Sequence, residues 1–182
     1  HSTTPYLFGD RAVKYAVVPQ VRHIDRIPSN PSDNYLRQAM VRQLSQEDAV
    51  FDFMVQFQTD PEKMPVEDPG VVWPEELSKF RKLATIRIPR QYFDHPLQDE
   101  LGDELSFTPW HALPEHRPLG GINRARKMVY DTISALRHQH NHTQRAEPDS
   151  WDIPGMDPAD QNGEGSRFLW GSTTIFRKHG QR

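Results

Sequence analysis

Cysteine is absent from all 182 residues. That one absence excludes disulfides, zinc–thiolate sites, iron–sulfur clusters and Cys nucleophiles together. No Gly-x-Ser-x-Gly, P-loop or Gly-x-Gly-x-x-Gly pattern occurs either, which removes the common routes to acyl transfer and to phosphate cradling. No apolar run reaches the ~18 residues of a membrane-spanning helix. Excess positive charge is missing: Lys plus Arg is 22 against 25 for Asp plus Glu, a net charge of −3, which argues against nucleic acid as a partner. The start, His1-Ser2-Thr3-Thr4-Pro5-Tyr6, has no Met, no charged n-region and no apolar h-region. It reads as the middle of a protein, with any targeting signal upstream. Location is left open by this, the cytoplasm being favoured.

What is present suits one core with an appendage. The chain is 35% hydrophobic, with four Trp, five Tyr and nine Phe. Its 16 Pro stand well above the usual share of ~5%, so long helices should be few. Residues 12–18 and 83–88 predict strands ended by Pro19 and Pro89. Phe51, Phe53, Val55 and Phe57 alternate and should share one strand face. Residues 34–51 lack Pro and Gly, and Leu36, Met40 and Leu44 recur at helical spacing, with Asp33 or Ser32 as a cap. Residues 60–74 read as a Pro-punctuated connection anchored by Trp73, and residues 91–120 as a long ordered loop. A second helix is expected from Ile122 to about His138, after the glycines at 120 and 121, which read as a hinge. Two regions follow: 1–142 as the folded body and 143–182 as a Gly/Pro/Asp-rich tail, whose Trp151 and Phe168-Leu169-Trp170 could dock on the body.

The second helix carries the chemistry. At about 100° per residue, Ile122, Val129 and Ile133, with Ala125 and Leu136 beside them, form an apolar stripe expected to be buried. Arg126, Tyr130 and Arg137 line up along one flank of it. The plain reading is an edge Tyr that packs its ring while the Arg residues reach solvent, and helix geometry alone favours it. A sharper reading uses the phenol. A Tyr with the ordinary pKa of ~10 is a poor metal ligand at neutral pH, but an Arg one turn away stabilises a phenolate by charge and hydrogen bonding. Such a phenolate can ligate ferric haem iron. Arg137 would then lie where it could pair a propionate.

From those residues outward the sequence resembles the haem catalases. Arg126-Lys-Met-Val-Tyr130 is similar to their Arg-x-x-x-Tyr proximal motif, and Arg137 matches a propionate-binding Arg seven residues beyond that Tyr. Upstream, Phe57-Gln…Pro69-Gly-Val-Val-Trp-Pro74 resembles the family's Asp-Leu-Thr-Lys-Val-Trp-Pro segment. Leu83-Ala-Thr-Ile-Arg-Ile-Pro-Arg-Gln-Tyr-Phe93 resembles its strand running into Asn-Arg-Asn-Pro-x-Asn-Tyr-Phe. Leu105-Ser-Phe-Thr-Pro-Trp110 resembles Leu-Ala-Phe-Asp-Pro-Ser, whose Phe packs on the haem; here that is Phe107. Residues 107–124 resemble a divergent branch of small catalase-related proteins. The sequence departs from the family at Ser134, where a His is usual, and at Asp131, one position early.

The resemblance, covering residues 1–141, implies an α+β fold: part of a catalase-like antiparallel β-barrel with a long wrapping loop and a proximal haem helix. It implies haem b as cofactor, with Tyr130 as axial ligand of the iron, Arg126 tuning it, Arg137 on a propionate and Phe107 against the ring. The implied function is haem-dependent peroxide metabolism of the catalase or peroxidase kind. The substrate is hydrogen peroxide or an organic or lipid hydroperoxide, and the cycle needs a distal His to move the proton. That His belongs to an upstream half, so this chain alone is expected to be inactive; homo-oligomers are possible. A fatty-acid hydroperoxide isomerase or synthase on the same haem site, and a non-enzymatic catalase-fold fragment without haem, are the alternatives.

Other constellations read as structural. His138, His140 and His142 could bind a divalent metal if extended, but suit a helix C-terminus better. His111 and His116 read as loop hydrogen-bonders, and Asp94, Asp99, Glu100, Asp103 and Glu104 as a solvated acidic loop.

Overall fold

Alternation in the sequence becomes a four-stranded antiparallel sheet in the computed structural model, which describes residues 1–21 and 26–148. β1 (Tyr6–Phe8), β2 (Arg11–Pro19), β3 (Ala49–Phe57) and β4 (Arg81–Ile88) lie side by side in chain order. A two-residue turn joins β1 to β2, with Gly9 at φ +66° where a residue bearing Cβ would be strained. Helix α1 (Tyr35–Gln46) fills the connection from β2 to β3. Among the described residues the sheet is open. The barrel expected from sequence is seen as a sheet whose edge strands do not meet.

The expected strands and both expected helices are present. Phe53 stacks on Tyr15 with ring centroids 5.1 Å apart, and Phe57 meets Phe8 edge-on at 5.9 Å. These pairs fix the β1–β2–β3 register through cross-strand aromatic contact. On the other face Gln56 is buried, donating to the carbonyls of Trp73 (3.1 Å) and Ser78 (2.9 Å). Residues 60–74 are indeed anchored by Trp73, which is buried with its indole N–H donating to the Pro65 carbonyl at 3.1 Å. Met64, fully buried beside it, completes a small core with Val13, Ala16, Leu44 and Val55.

Three expectations need correction. Residues 91–120 are not all loop, because α2 (Pro96–Glu104) forms within them. Pro96 sits at the first helical position, where its missing N–H and fixed φ are assets, and the His95 side chain accepts from Leu97 N. The acidic residues from Asp99 to Glu104 therefore ride on a helix, and Asp94 and Asp99 both hold Arg37. In α1 the start lies at Asn34 with no side-chain cap bond, so neither Asp33 nor Ser32 caps it. Its apolar stripe buries only Leu44, leaving Leu36 and Met40 exposed.

The third correction concerns α3 (Gly121–Asn141). Ile122, Val129, Ile133 and Leu136 are exposed, and the buried residues are Asn123 and His138. The helix meets the body through a polar face about 100° round from the apolar stripe. Hydrogen-bond partners wait on that side, whereas no described residue covers the stripe. Trp151 and Phe168-Leu169-Trp170, expected to dock, lie outside the described residues.

The small core sets the stability. Met64→Ala should lower the free energy of unfolding by about 2–5 kcal/mol. Val72→Ala, at a side chain 85% exposed, should change it by less than ~0.5 kcal/mol. Urea denaturation with an unchanged slope would check both.

Candidate functional site

The chain reaches α3 along β1. Leu7 N donates to Arg117 O at 2.9 Å, Gly9 N to Glu115 O at 3.0 Å, and Leu119 N to Pro5 O at 3.0 Å. A bridge between Tyr6 and Pro118 continues the pairing. Gly120 then turns into the helix at φ +85°, and a Cβ there would lie 2.8 Å from the Val66 carbonyl oxygen. The paired glycines therefore form a tight, closely packed helix entry rather than a hinge. Glu67 closes that entry, accepting from Gly121 N at 2.7 Å and pairing with Arg124 at 3.3 Å. Arg124 and the Gly121 N–H hold its carboxyl below the ordinary range.

On α3, Arg126 Nη2 donates to the Tyr130 hydroxyl oxygen at 3.1 Å, and its guanidinium carbon lies 5.2 Å from the ring centroid. Nη1 donates to Asn123 Oδ1 at 3.1 Å. The guanidinium pKa is raised, chiefly by the bond to Tyr130, with burial opposing and Tyr6 adding a hydrogen bond. Tyr130 opens onto a cleft of about 470 Å³ lined also by Gly102, Phe107, Val129, Ile133, Ser134 and Arg137. Its walls are largely apolar and face outward: Phe107 is 75% exposed, Val129 57% and Ile133 55%. All of the sequence-predicted site residues except Arg126 line this one cleft, and Arg126 bonds its phenol.

Arg137 is engaged. It donates to the carbonyl of Asp103 at 2.7 Å and to that of Leu105, tying α3 to the end of α2. His138 does the same, with Nε2 3.0 Å from Glu104 O. A carbonyl can only accept, so Nε2 carries a proton and donates to it. Ser134 Oγ, 3.5 Å from Nδ1 and 2.8 Å from Ser106 Oγ, completes a chain from loop to helix end. His140 shares the last helical turn with His138, and His142 is the left-handed cap, so the helix-end reading of these His residues holds. No group of three or more candidate ligands that could hold a bare metal ion occurs among the described residues. His111 contacts Arg145 at 3.0 Å, and His116 packs on Phe8.

Sequence reasoning missed Asn123, and it set His138 at the helix end without its contact to α2. Asn123 was in plain view, three residues before Arg126, but an Asn in a first helical turn ordinarily reads as solvent-facing. No family model and no curated protein matches this chain. Among solved structures a fungal catalase superimposes with a TM-score of 0.57, over 97% of this chain and 40% of its own, at 16% identity. The chain resembles part of the catalase fold. At that identity the likeness is one of fold, and the chain spans well under half of the catalase's length. None of the described helices is long and apolar enough to cross a membrane.

The Glu67 cap has a definite sign. A carboxyl held low contributes stability above its ordinary pKa of 4.5 and loses it as pH falls through the depressed value. The stability gap between the protein and Glu67→Gln should therefore be constant above that pH and shrink below it. Urea midpoints measured across an acid series would show this; a gap independent of pH would refute it.

Proposed function

We propose that this chain forms the Tyr-ligated side of a haem b pocket in a peroxide-metabolising oxidoreductase. The carrying observation is the guanidinium of Arg126 set 3.1 Å from the phenol oxygen of Tyr130 on the wall of an open, largely apolar cleft. The donor set fits the group. A flat, mostly hydrocarbon macrocycle suits walls of Phe107, Val129 and Ile133, and a phenolate is a known ligand of haem iron. The part-catalase fold supports the same reading.

When bound, the group supplies a ferric iron at which a peroxide O–O bond can be broken. Tyr130 would hold that iron through its phenol oxygen. Arg126 donates to the same oxygen, a contact that would favour the charged form of the ligand once the iron is held. Phe107, Val129 and Ile133 would cover the ring face turned toward this chain, and the water lost there would strengthen the Arg126–Tyr130 interaction. Arg137 donates to the Asp103 and Leu105 carbonyls and lies 3.9 Å from the Asp103 carboxylate, so a propionate at the cleft edge would share this cation with Asp103. A His to move the peroxide proton is also required, and would be supplied by a further segment. Hydrogen peroxide and organic or lipid hydroperoxides share the reacting bond, so this half of the pocket serves either.

Hemin titrated into the intact protein should produce a Soret band. Tyr130→Phe should abolish or shift it, and Arg126→Ala should weaken hemin binding by about tenfold, the effect of losing one charge-assisted hydrogen bond. No Soret band, or a band unchanged in Tyr130→Phe, would end the haem reading.

A further inference from the structure

Asn123 is fully buried, and its amide is completely used. Oδ1 accepts from Thr4 Oγ1 at 3.2 Å and from Arg126 Nη1 at 3.1 Å. Nδ2 donates to the carbonyls of Pro5 at 2.9 Å and Leu119 at 2.8 Å. An Asn side chain offers two acceptor sites and two donors, and here all are taken. Three of the four partners come from outside α3, from the segment before β1 and from the strap that precedes the helix. The fourth is the cation that meets Tyr130.

From this geometry we infer that Asn123 is a positioning residue: it aims the Arg126 guanidinium at the Tyr130 oxygen. An Arg side chain has several free torsions and loses rotamer entropy when held in one place. The bond to Tyr130 on the open cleft wall, where water competes, and the nearby Tyr6 phenol offset only part of that. A second bond from the opposite end of the same guanidinium, to a buried and rigid oxygen, removes most of the freedom before any ligand arrives. The two Nη groups are grasped by residues about one turn to either side of Arg126, so the planar fork can point in only one direction. Thr4 and the two carbonyls keep Oδ1 itself from turning. The site is therefore built by distant chain segments meeting at one amide, and its preorganisation does not depend on ligand.

The proposal takes its importance from the haem reading, yet it is testable without haem. In nitrogen-edited NMR of the haem-free protein, the Nη1 and Nη2 protons of Arg126 should appear as separate, slowly exchanging signals. Asn123→Ala should merge them with the bulk Arg signals. Asn123→Asp keeps an oxygen for Nη1 while losing both donors to Pro5 and Leu119, so it should retain the Nη1 signal although it is destabilised. A purely structural Asn would lower stability in both variants and distinguish neither spectrum. Persistence of the Arg126 signals in Asn123→Ala overturns the inference. Should that variant fail to fold, Asn123→Asp decides alone, and loss of its Nη1 signal overturns the inference equally. With hemin added, Asn123→Ala should bind about as weakly as Arg126→Ala, roughly tenfold down. If the NMR signals collapse as expected but neither variant alters hemin binding, the positioning role stands and the haem reading falls.

Discussion

A buried amide that satisfies all of its hydrogen bonds holds this fold together at the point where it matters most. Removing a carboxamide from water is costly unless each donor and acceptor finds a partner. Asn123 finds them in three places: the segment entering β1, the strap leaving the loop, and its own helix. The arrangement of α3 against the sheet follows from that requirement. Once Asn123 faces inward, Tyr130 stands at the edge of the contact, and Val129 and Ile133 face out.

That explains why α3 is anchored by polar groups and leaves its apolar stripe open. At its far end His138 and Arg137 grip the last carbonyls of α2, groups that a helix end cannot satisfy internally. The helix is thus fixed at both ends by directional bonds rather than by hydrophobic contact along its length. Hydrogen bonds specify rotation about the helix axis more tightly than apolar packing does, because their geometry is narrow. A site that needs one phenol and one guanidinium in fixed relation gains from this. The exposed apolar groups form a contiguous wall, the kind of surface that marks a binding groove.

Much of the architecture was legible in the sequence. Residues 51–57 alternate so strongly that only a strand fits them, and the breaker-free stretch before them could hardly be anything but helix. Trp73 announced itself as an anchor among prolines. The α2 segment was hidden because Pro96 and Gly102 read as breakers, although proline at a first helical position starts a helix as readily as it ends one. The ridge of Arg126, Tyr130 and Arg137 followed from periodicity alone. That Phe107 would face the same cleft came only from the resemblance, since nothing local directs an exposed loop residue.

By itself the sequence determined the elements, their order and which side chains share a ridge, because those depend on neighbours within a turn or a strand. It also showed that these 182 residues carry no Cys and no P-loop or Gly-x-Gly-x-x-Gly pattern. Tertiary structure alone decided which face of α3 is buried. The apolar stripe is the natural choice for an isolated helix, but burial is settled by what lies opposite, and opposite Asn123 stand Thr4 and the Pro5 and Leu119 carbonyls. The Thr4 and Pro5 contacts join residues 119 and 118 positions apart in the chain. No local rule connects such distant groups, and the direction of Arg126 is set by them.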